Sequence, residues 1–244
     1  MQQLRGPQGC PWDRKQTLRS LRSYLLEETY EALEALDRDD PKAHAEELGD
    51  LLFQVVFQAH IRSELGQFSL ADVVDGICDK LESRHPHVFG SGEDLDDEEV
   101  ASRWHAMKKA EGKGDVTDVP QTLPALMRAQ KVGRRAARVG FDWDDVVGAW
   151  SKLDEELMEL RQAVESEEPS SMARELGDVL FSVVNVARHL NVDAEKSLND
   201  TTKRFVERFT FMQQQLSAGD RSVEDSSMEE LNDLWDMAKT QGQT

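Results

Sequence analysis

An internal repeat holds five acidic residues at the same spacing in two parts of the chain. The acids of the first copy are Glu27, Glu28, Glu31, Glu47 and Asp50. A shift of 128 positions brings each onto the same residue type, at Glu155, Glu156, Glu159, Glu175 and Asp178. Acidic residues on a solvated surface vary freely, so the repetition indicates a site that each copy requires in one geometry.

The apolar frame around the acids is repeated as well. The same shift leaves 17 of the 37 positions from 23 to 59 identical, including Pro41 with Pro169 and Phe53 with Phe181. A second block, residues 104–108, recurs as residues 235–239 after a shift of 131, with Trp at its start and Lys at its end. A chain duplicated in this way is expected to fold as two copies of one unit.

Apolar residues recur at spacings of three and four, which is typical of amphipathic helices. The pattern predicts helices over 17–36, 42–65, 68–82 and 100–110 in the first half, and over 126–139, 150–164, 169–190, 198–216 and 228–239 in the second. Strand signals are essentially absent. Asp40 and Pro41 have the residue types of a helix N-cap and first helical position, and the short turn before them predicts an antiparallel hairpin.

The fold class predicted from these elements is all-α, with tandem duplicated helical domains. Gly112, Gly114, Pro120 and Pro124 occur in a stretch with little apolar content, which is typical of a linker. We therefore predict an N-terminal domain over 1–112, a linker over 113–124 and a C-terminal domain over 125–244. Two domains of this size fit a chain of 244 residues.

The charge balance limits the possible partners. A net charge of −19 argues against binding to nucleic acid or to an anionic membrane, because phosphate contacts need clusters of Lys and Arg. Two cysteines, far apart in sequence, fit neither a disulfide framework nor a metal motif and favour a reducing cytoplasm. We see no signal-peptide pattern and no apolar run of about 18 residues, so we expect neither export nor membrane insertion.

Acids three apart lie on one helix face, which pairs Glu28 with Glu31 and Glu47 with Asp50. A hairpin can place the two pairs opposite each other, and such a set of hard oxygen ligands suits Mg²⁺, or Mn²⁺ as a second choice. An ion there can hold a triphosphate and activate a water molecule that attacks phosphorus. The alternative is a solvated acidic surface with Lys or Arg partners, which the repetition and the scarcity of such partners disfavour.

Other metal sites are poorly supported by the sequence. Di-iron bundles need a Glu-x-x-His pair from each of two helices, and neither hairpin has one. His85 and His87 flank a proline without a third ligand nearby, which is more typical of a turn that ends a helix.

Two further groups of residues fit a nucleotide without requiring one. Lys80 with Arg84, and Arg204 with Arg208, are four apart and form either phosphate clamps or solvated helix edges. Trp235, like its counterpart in the first repeat, is followed one turn later by a lysine and forms either a stacking face for a base or part of the core. The spacing leaves both interpretations open.

In these respects the sequence resembles the MazG family of nucleoside triphosphate pyrophosphohydrolases over nearly the whole chain. The motifs that carry the resemblance are Gly9-Cys10-Pro11-Trp12-Asp13, Leu26-Glu27-Glu28-Thr29-Tyr30-Glu31, Glu47-Leu48-Gly49-Asp50-Leu51-Leu52-Phe53-Gln54, Arg84-His85-Pro86-His87-Val88-Phe89, Leu126-Met127-Arg128-Ala129-Gln130-Lys131 and Gly140-Phe141-Asp142-Trp143. The acid pairs alone would indicate only the wider all-α pyrophosphatase superfamily, which includes dimeric dUTPases and phosphoribosyl-ATP pyrophosphatases.

The resemblance implies a homodimer in which each domain pairs with its counterpart and builds a helical bundle around Mg²⁺. The implied reaction is the hydrolysis of nucleoside triphosphates, ATP among them, between the α and β phosphates. Broad base specificity and a housecleaning role in the nucleotide pool are implied with it. The second repeat is the implied catalytic unit.

Carried over residue by residue, the resemblance assigns three roles. The catalytic residues would be Glu155, Glu156, Glu159, Glu175 and Asp178. The metal ligands would be Glu156, Glu159, Glu175 and Asp178, with Glu28, Glu31, Glu47 and Asp50 as their counterparts in the first repeat. The nucleotide would be bound by Lys152, Glu155, Arg204, Arg208, Trp235 and Lys239.

Two residues depart from the family pattern. Arg204 stands where Lys is common, which keeps the charge but changes the geometry of the donors. Arg174 precedes Glu175, where the first repeat has Glu46 and relatives often have an acid. The sequence therefore predicts a cytoplasmic, Mg²⁺-dependent nucleoside triphosphate pyrophosphohydrolase. The alternative, which Arg174 favours for the second domain, is a non-catalytic acidic helical module for dimerisation or partner binding.

Overall fold

The computed structural model describes residues 1–90, 92, 95–110 and 114–241, and in these ranges it contains helices, turns and loops but no strand. The predicted all-α class is therefore confirmed. The chain divides into two compact units, Met1–Trp104 and His105–Thr244. The domain limits at 112 and 125 stay a prediction. In the described ranges, no helix combines the length and the apolar character needed to cross a bilayer.

The first unit is built around a hairpin of two long helices. Its helices are α1 Gln2–Arg5, α2 Pro11–Lys15, α3 Leu21–Asp37, α4 Pro41–Glu64, α5 Leu70–Arg84, α6 Pro86–Phe89 and the first part of α7 Asp97–Ala110. Helices α3 and α4 pack along each other and run antiparallel, because only residues 38–40 join them. The carboxylate of Asp40 accepts hydrogen bonds from the backbone N–H groups of Lys42 and Ala43, so Asp40 caps α4 as predicted.

The core of the first unit forms where α3 begins and α4 ends. Leu21, Phe57 and Ile61 are buried there. The start of α3 at Leu21 is later than the predicted position 17, because Thr17 and Ser20 bond each other's backbone N–H groups through their hydroxyls at 3.0 and 3.1 Å. This closed turn competes with the helix for the same backbone groups.

The second unit repeats the hairpin and adds a helix before it and two after it. Its elements are a 3₁₀ turn Val116–Asp118, α8 Ala125–Arg138, α9 Val146–Glu165, α10 Pro169–His189, α11 Ala194–Ser217 and α12 Met228–Gln241. Helices α9 and α10 form the hairpin, α8 packs against α10 and α11, and α12 packs against α11. The core consists of Ala149, Leu153, Val179 and Val186.

Two helices of the second unit begin four residues earlier than the apolar pattern predicts. Helix α9 begins at Val146 rather than at 150, because Asp145 accepts hydrogen bonds from two N–H groups of its first turn. Helix α11 begins at Ala194 rather than at 198, because Asp193 accepts a hydrogen bond from the N–H of Lys196. N-cap aspartates set these limits, and periodicity of apolar residues does not register them.

Candidate active site

The second hairpin brings together three of the four predicted metal ligands of that repeat. Glu156 on α9 and Glu175 and Asp178 on α10 each offer a carboxylate oxygen, and these oxygens lie within 4.8 Å of one another. We call this trio the second acidic cluster. Glu156 and Glu175 are only 6% and 7% exposed, whereas Asp178 is exposed. Glu159 lies at its edge, where loss of hydration and then the charges of Glu156 and Glu175 raise the pKa of Glu159.

The first hairpin forms a matching trio, the first acidic cluster. Its members are Glu28 on α3 and Glu47 and Asp50 on α4, whose oxygens also lie within 4.8 Å of one another. Loss of hydration raises the pKa values of Glu28 and Glu47, and the charges of Glu31 and Asp50 raise both further. Glu31 therefore lies near the cluster without belonging to the trio.

Two cations bind the second acidic cluster. The Lys152 ammonium lies 2.8 Å from Glu155 Oε1 and 2.7 Å from Glu156 Oε1, and these hydrogen bonds raise the pKa of Lys152. Arg174 donates from Nη2 and Nε to Oε1 of Glu175, at 2.6 and 3.1 Å. Each buried glutamate of the trio therefore has a cationic partner, as a carboxylate removed from water requires.

The chemistry of both donor sets fits a divalent cation. Carboxylate oxygens are the hard ligands that Mg²⁺ and Mn²⁺ prefer, and Mg²⁺ usually takes only one or a few carboxylates and keeps its other positions for water and phosphate. Glu156, Glu175 and Asp178 would hold the ion in the second unit, with Glu159 beside it. The equivalent residues of the first acidic cluster would do so in the first unit.

A second group of predicted site residues lies between α11 and α12. The guanidinium of Arg208 lies 5.7 Å from the centre of the Trp235 ring, and the Phe205 ring lies 5.1 Å from it. Phe209 stacks on Phe205 at 6.2 Å. Phe205 is not among the residues predicted from the sequence, although Phe205, Arg208 and Phe209 have the spacing of one helix face. The group offers an aromatic surface with a cation beside it.

The remaining predicted nucleotide ligands bind neighbours on their own helices. Arg204 donates to the hydroxyl of Thr201 at 2.8 Å, and Lys239 lies 2.8 Å from Asp236. Within the described ranges, none of these hydrogen bonds or ring contacts connects the α11–α12 group to the second acidic cluster. The structure therefore shows the predicted nucleotide residues as two groups, one with Lys152 and one with Trp235.

The first unit repeats the pair of cation and tryptophan. The guanidinium of Arg84 lies 5.1 Å from the centre of the Trp104 ring, and His85 packs edge-on against the same ring at 5.3 Å. Arg84 is 6% exposed, whereas Arg208 is half-buried. His85 ends α5, and its Nδ1 lies 2.8 Å from a carbonyl oxygen of that helix, in line with the predicted turn. The side chain of Lys108 lies outside the described part of the chain.

A loop before α9 holds the C-terminal end of α10. Arg188 on α10 donates to the two carboxylate oxygens of Asp142 at 2.7 and 2.5 Å, and His189 Nε2 lies 3.2 Å from the same carboxylate. The bond to Arg188 holds the pKa of Asp142 below its usual value. Asp142 belongs to the motif over 140–143, to which the sequence reasoning gave no role. The contact fixes the helix that carries two members of the second acidic cluster.

Comparison with known proteins places both hairpins in one family. Residues 16–89 and 138–215 each match the MazG nucleotide pyrophosphohydrolase domain. The chain is 42% identical over 242 residues to the nucleoside triphosphate pyrophosphohydrolase/pyrophosphatase MazG of Thermotoga maritima. That alignment covers 98% of this chain and 92% of the T. maritima protein. It is 41% identical over 251 residues to the nucleoside triphosphate pyrophosphohydrolase of Escherichia coli K12. That alignment covers 99% of this chain and 95% of the E. coli protein.

A third relative matches a shorter stretch. The nucleoside triphosphate pyrophosphohydrolase of Mycobacterium tuberculosis is 44% identical over 135 residues, which are 54% of this chain and 41% of that protein. The two domain matches and the two nearly full-length relatives agree with the motifs found in the sequence. The chain therefore belongs to the MazG nucleotide pyrophosphohydrolase family, as its sequence predicts.

Proposed function

We propose that the chain is a Mg²⁺-dependent enzyme that hydrolyses nucleoside triphosphates between the α and β phosphates and releases a nucleoside monophosphate and pyrophosphate. Membership of the family makes it a pyrophosphohydrolase, and its relatives from T. maritima and E. coli are named for action on nucleoside triphosphates. Broad base specificity, a cytoplasmic location and housecleaning of the nucleotide pool are parts of the proposal.

The observation that carries the proposal is the second acidic cluster with Lys152 beside it. Three carboxylates within 4.8 Å of one another and an ammonium 2.7 Å from one of them combine a cation site with a phosphate ligand. Glu156, Glu175 and Asp178 would hold a divalent cation, which would supply charge neutralisation for the phosphates and a more acidic water as nucleophile. Lys152 and Arg174 would donate to the pyrophosphate that departs, and Glu155 and Glu159 would orient the water and take up its proton.

The base would be bound by the aromatic group on α11 and α12. Trp235 presents a ring, and every base has a face that can stack on it, which supports broad base specificity. Arg208 lies over the same ring and Arg204 is one turn earlier, which supports a role for both in binding phosphate oxygens close to a stacked base.

Product analysis tests the proposal directly. Full-length protein is incubated with ATP and Mg²⁺, and AMP with pyrophosphate is resolved from ADP with phosphate. We expect AMP and pyrophosphate only, at comparable rates with GTP, CTP and UTP. Formation of ADP and phosphate would contradict the cleavage site. A folded protein that turns over none of these nucleotides would favour the alternative, a non-catalytic acidic module.

We further propose that a second copy of the chain covers an apolar face that both hairpins expose. On α4 the face consists of Leu48, Leu52 and Val55, and on α10 of Leu176, Leu180 and Val183. The spacing of four and three places each trio on one side of its helix, with Leu52 61% and Leu180 49% exposed. Exposed apolar faces of this kind are typical of subunit interfaces, and the repetition supports pairing of each unit with its counterpart.

Light scattering tests the dimer. Wild-type protein should have twice the chain mass of 27.6 kDa, and Leu180→Glu should lower the mass or weaken association. Val139→Glu is the matched control, because Val139 is 76% exposed and lies just after α8, outside the apolar face. A monomeric wild type, or an equal effect of both substitutions, would contradict the proposed interface.

A further inference from the structure

The two acidic clusters share their carboxylates but differ in the cations next to them. Lys152 and Arg174 accompany the second cluster, and the shift of 128 places Tyr24 and Glu46 at the equivalent positions of the first. The acids were therefore duplicated and the counter-ions were not. A site that must release its own cations before it takes a metal ion differs in affinity from a site that has none to release.

In the second cluster both buried glutamates are already neutralised. Lys152 Nζ lies 2.7 Å from Glu156, and Arg174 binds Glu175 through two donors at 2.6 and 3.1 Å. A divalent cation competes with Lys152 and Arg174 for the same oxygens. When it binds, it also lies beside their two positive charges and is repelled by them. Both effects lower the affinity of the cluster for the ion alone.

In the first cluster no ion pair neutralises Glu28, Glu47 or Asp50 among the described side chains. Arg38, whose charge lowers the pKa of Glu47, forms its ion pair with Glu34 at 3.6 Å. The carboxylates repel one another, and none of them has an ion pair among the described side chains, so a divalent cation relieves the repulsion on binding. This cluster therefore gains more from the ion than the second cluster does.

We infer that Lys152 and Arg174 are internal counter-ions of the second acidic cluster, so that this cluster takes its divalent cation together with a triphosphate, whereas the first cluster takes the cation alone. The inference rests on the proposed function and adds an order of binding to it. The triphosphate supplies phosphate oxygens with which Lys152 and Arg174 can pair in place of the glutamates. The Arg174 side chain is 70% exposed and can leave Glu175 without unpacking the helix. Because linkage is reciprocal, the ion must tighten nucleotide binding by the same factor.

Titration with Mn²⁺, followed by electron paramagnetic resonance of the free ion, tests the inference on the full-length, metal-free protein. We expect two classes of site that differ at least about tenfold in affinity, which corresponds to a modest difference in electrostatic energy. Arg174→Glu introduces the residue type that the first repeat has at the equivalent position, Glu46. This substitution should increase the Mn²⁺ affinity of the weaker class about tenfold. Glu46→Arg, the reverse exchange, should weaken the tighter class by a similar factor.

Arg128→Glu is the matched control for charge. Arg128 is next to Met127, whose N–H donates to Glu195, a residue that follows the C-terminal end of α10. That end of α10 lies about 20 Å along the helix from Glu175. This control should leave both classes unchanged. Circular dichroism confirms that each variant folds. Two equal classes, or an Arg174→Glu protein that folds but keeps the wild-type affinities, would overturn the inference.

The coupling is measured with the ATP analogue that has a methylene group between the α and β phosphorus atoms, which resists cleavage at that bond. Adding the analogue should increase the Mn²⁺ affinity of the weaker class of sites in the wild type. In Arg174→Glu it should change the affinity of that class little. An equal gain in both proteins would contradict the role of Arg174. None of these readouts requires turnover, so a protein that shows the two classes but releases no pyrophosphate would refute the proposed function and leave the counter-ion inference standing.

Discussion

The contact between Asp142 and Arg188 leads to a quantitative prediction about the helix that carries the second acidic cluster. The side chain of Arg188 is 10% exposed and donates to both oxygens of Asp142, whose side chain is 23% exposed. Asp142→Asn keeps the shape of the side chain but leaves the guanidinium without its charged partner. Removing one partner of a buried ion pair costs about 3–5 kcal/mol. Because this pair is partly exposed, we expect a loss of about 2–3 kcal/mol in the free energy of unfolding.

Urea denaturation followed by far-ultraviolet circular dichroism measures this loss. With a slope of about 2 kcal/mol per molar urea, the midpoint of the transition that includes the second unit should fall by about 1–1.5 M. Asp144→Asn is the matched control, since Asp144 lies in the same loop, is exposed and has no bonded partner in the described part of the chain. Its free energy of unfolding should stay within about 0.5 kcal/mol of the wild-type value.

A double substitution separates the ion pair from other effects. Combining Asp142→Asn with Arg188→Met removes both charges, so the double variant should lose less than the sum of the two single variants. A cost below about 0.5 kcal/mol for Asp142→Asn, or an equal cost for Asp144→Asn, would refute the stabilising role of the ion pair.

Three further outcomes follow from the same structure. The stability advantage of wild type over Asp142→Asn should be present above the ordinary carboxyl pKa of 3.8 and be lost as pH falls through the lowered pKa of Asp142. A constant difference in free energy of unfolding between the two proteins down to about pH 2.5, measured by urea titration, would contradict this. Trp235→Ala should weaken nucleotide binding about tenfold in calorimetry while Trp235→Phe keeps most of it, and unchanged affinity, or simple unfolding of the alanine variant, would return Trp235 to a packing role. Mg²⁺ or Mn²⁺ should support pyrophosphate release better than Ca²⁺ does, because the smaller ions hold phosphate and water in octahedral geometry, and full activity in excess EDTA would rule out the metal site.

Much of the fold follows from patterns within a few residues of each other. The repeated spacing of apolar residues and acids predicts both hairpins, and Asp40 caps α4 as its residue type indicates. The limits that periodicity misjudges are set by single polar side chains. Thr17 and Ser20 delay α3, whereas Asp145 and Asp193 begin α9 and α11 early. Local hydrogen bonds of this kind depend on side-chain geometry that an apolar pattern does not contain.

The candidate site shows the same division. Helical spacing predicts that each set of acids meets across its hairpin, and three members of each set do lie together. The sequence marks Arg174 as unusual but does not show that it binds the neighbouring Glu175, since adjacent helical residues ordinarily point apart. Nor does it show that Asp142 meets Arg188, 46 residues away, because such contacts depend on the packing of whole helices.

The most direct test of the central claim is the rate of pyrophosphate release by two equivalent substitutions, Asp178→Asn and Asp50→Asn. Both aspartates are exposed, both belong to an acidic cluster, and the shift of 128 relates them. Asparagine keeps the volume and removes the charge, so a loss of activity reports on metal binding and not on packing. With ATP and Mg²⁺, and with the oligomeric state checked by light scattering, Asp178→Asn should lose most of the turnover and Asp50→Asn should keep most of it. An inactive Asp50→Asn beside an active Asp178→Asn would contradict the assignment of the chemistry to the second unit.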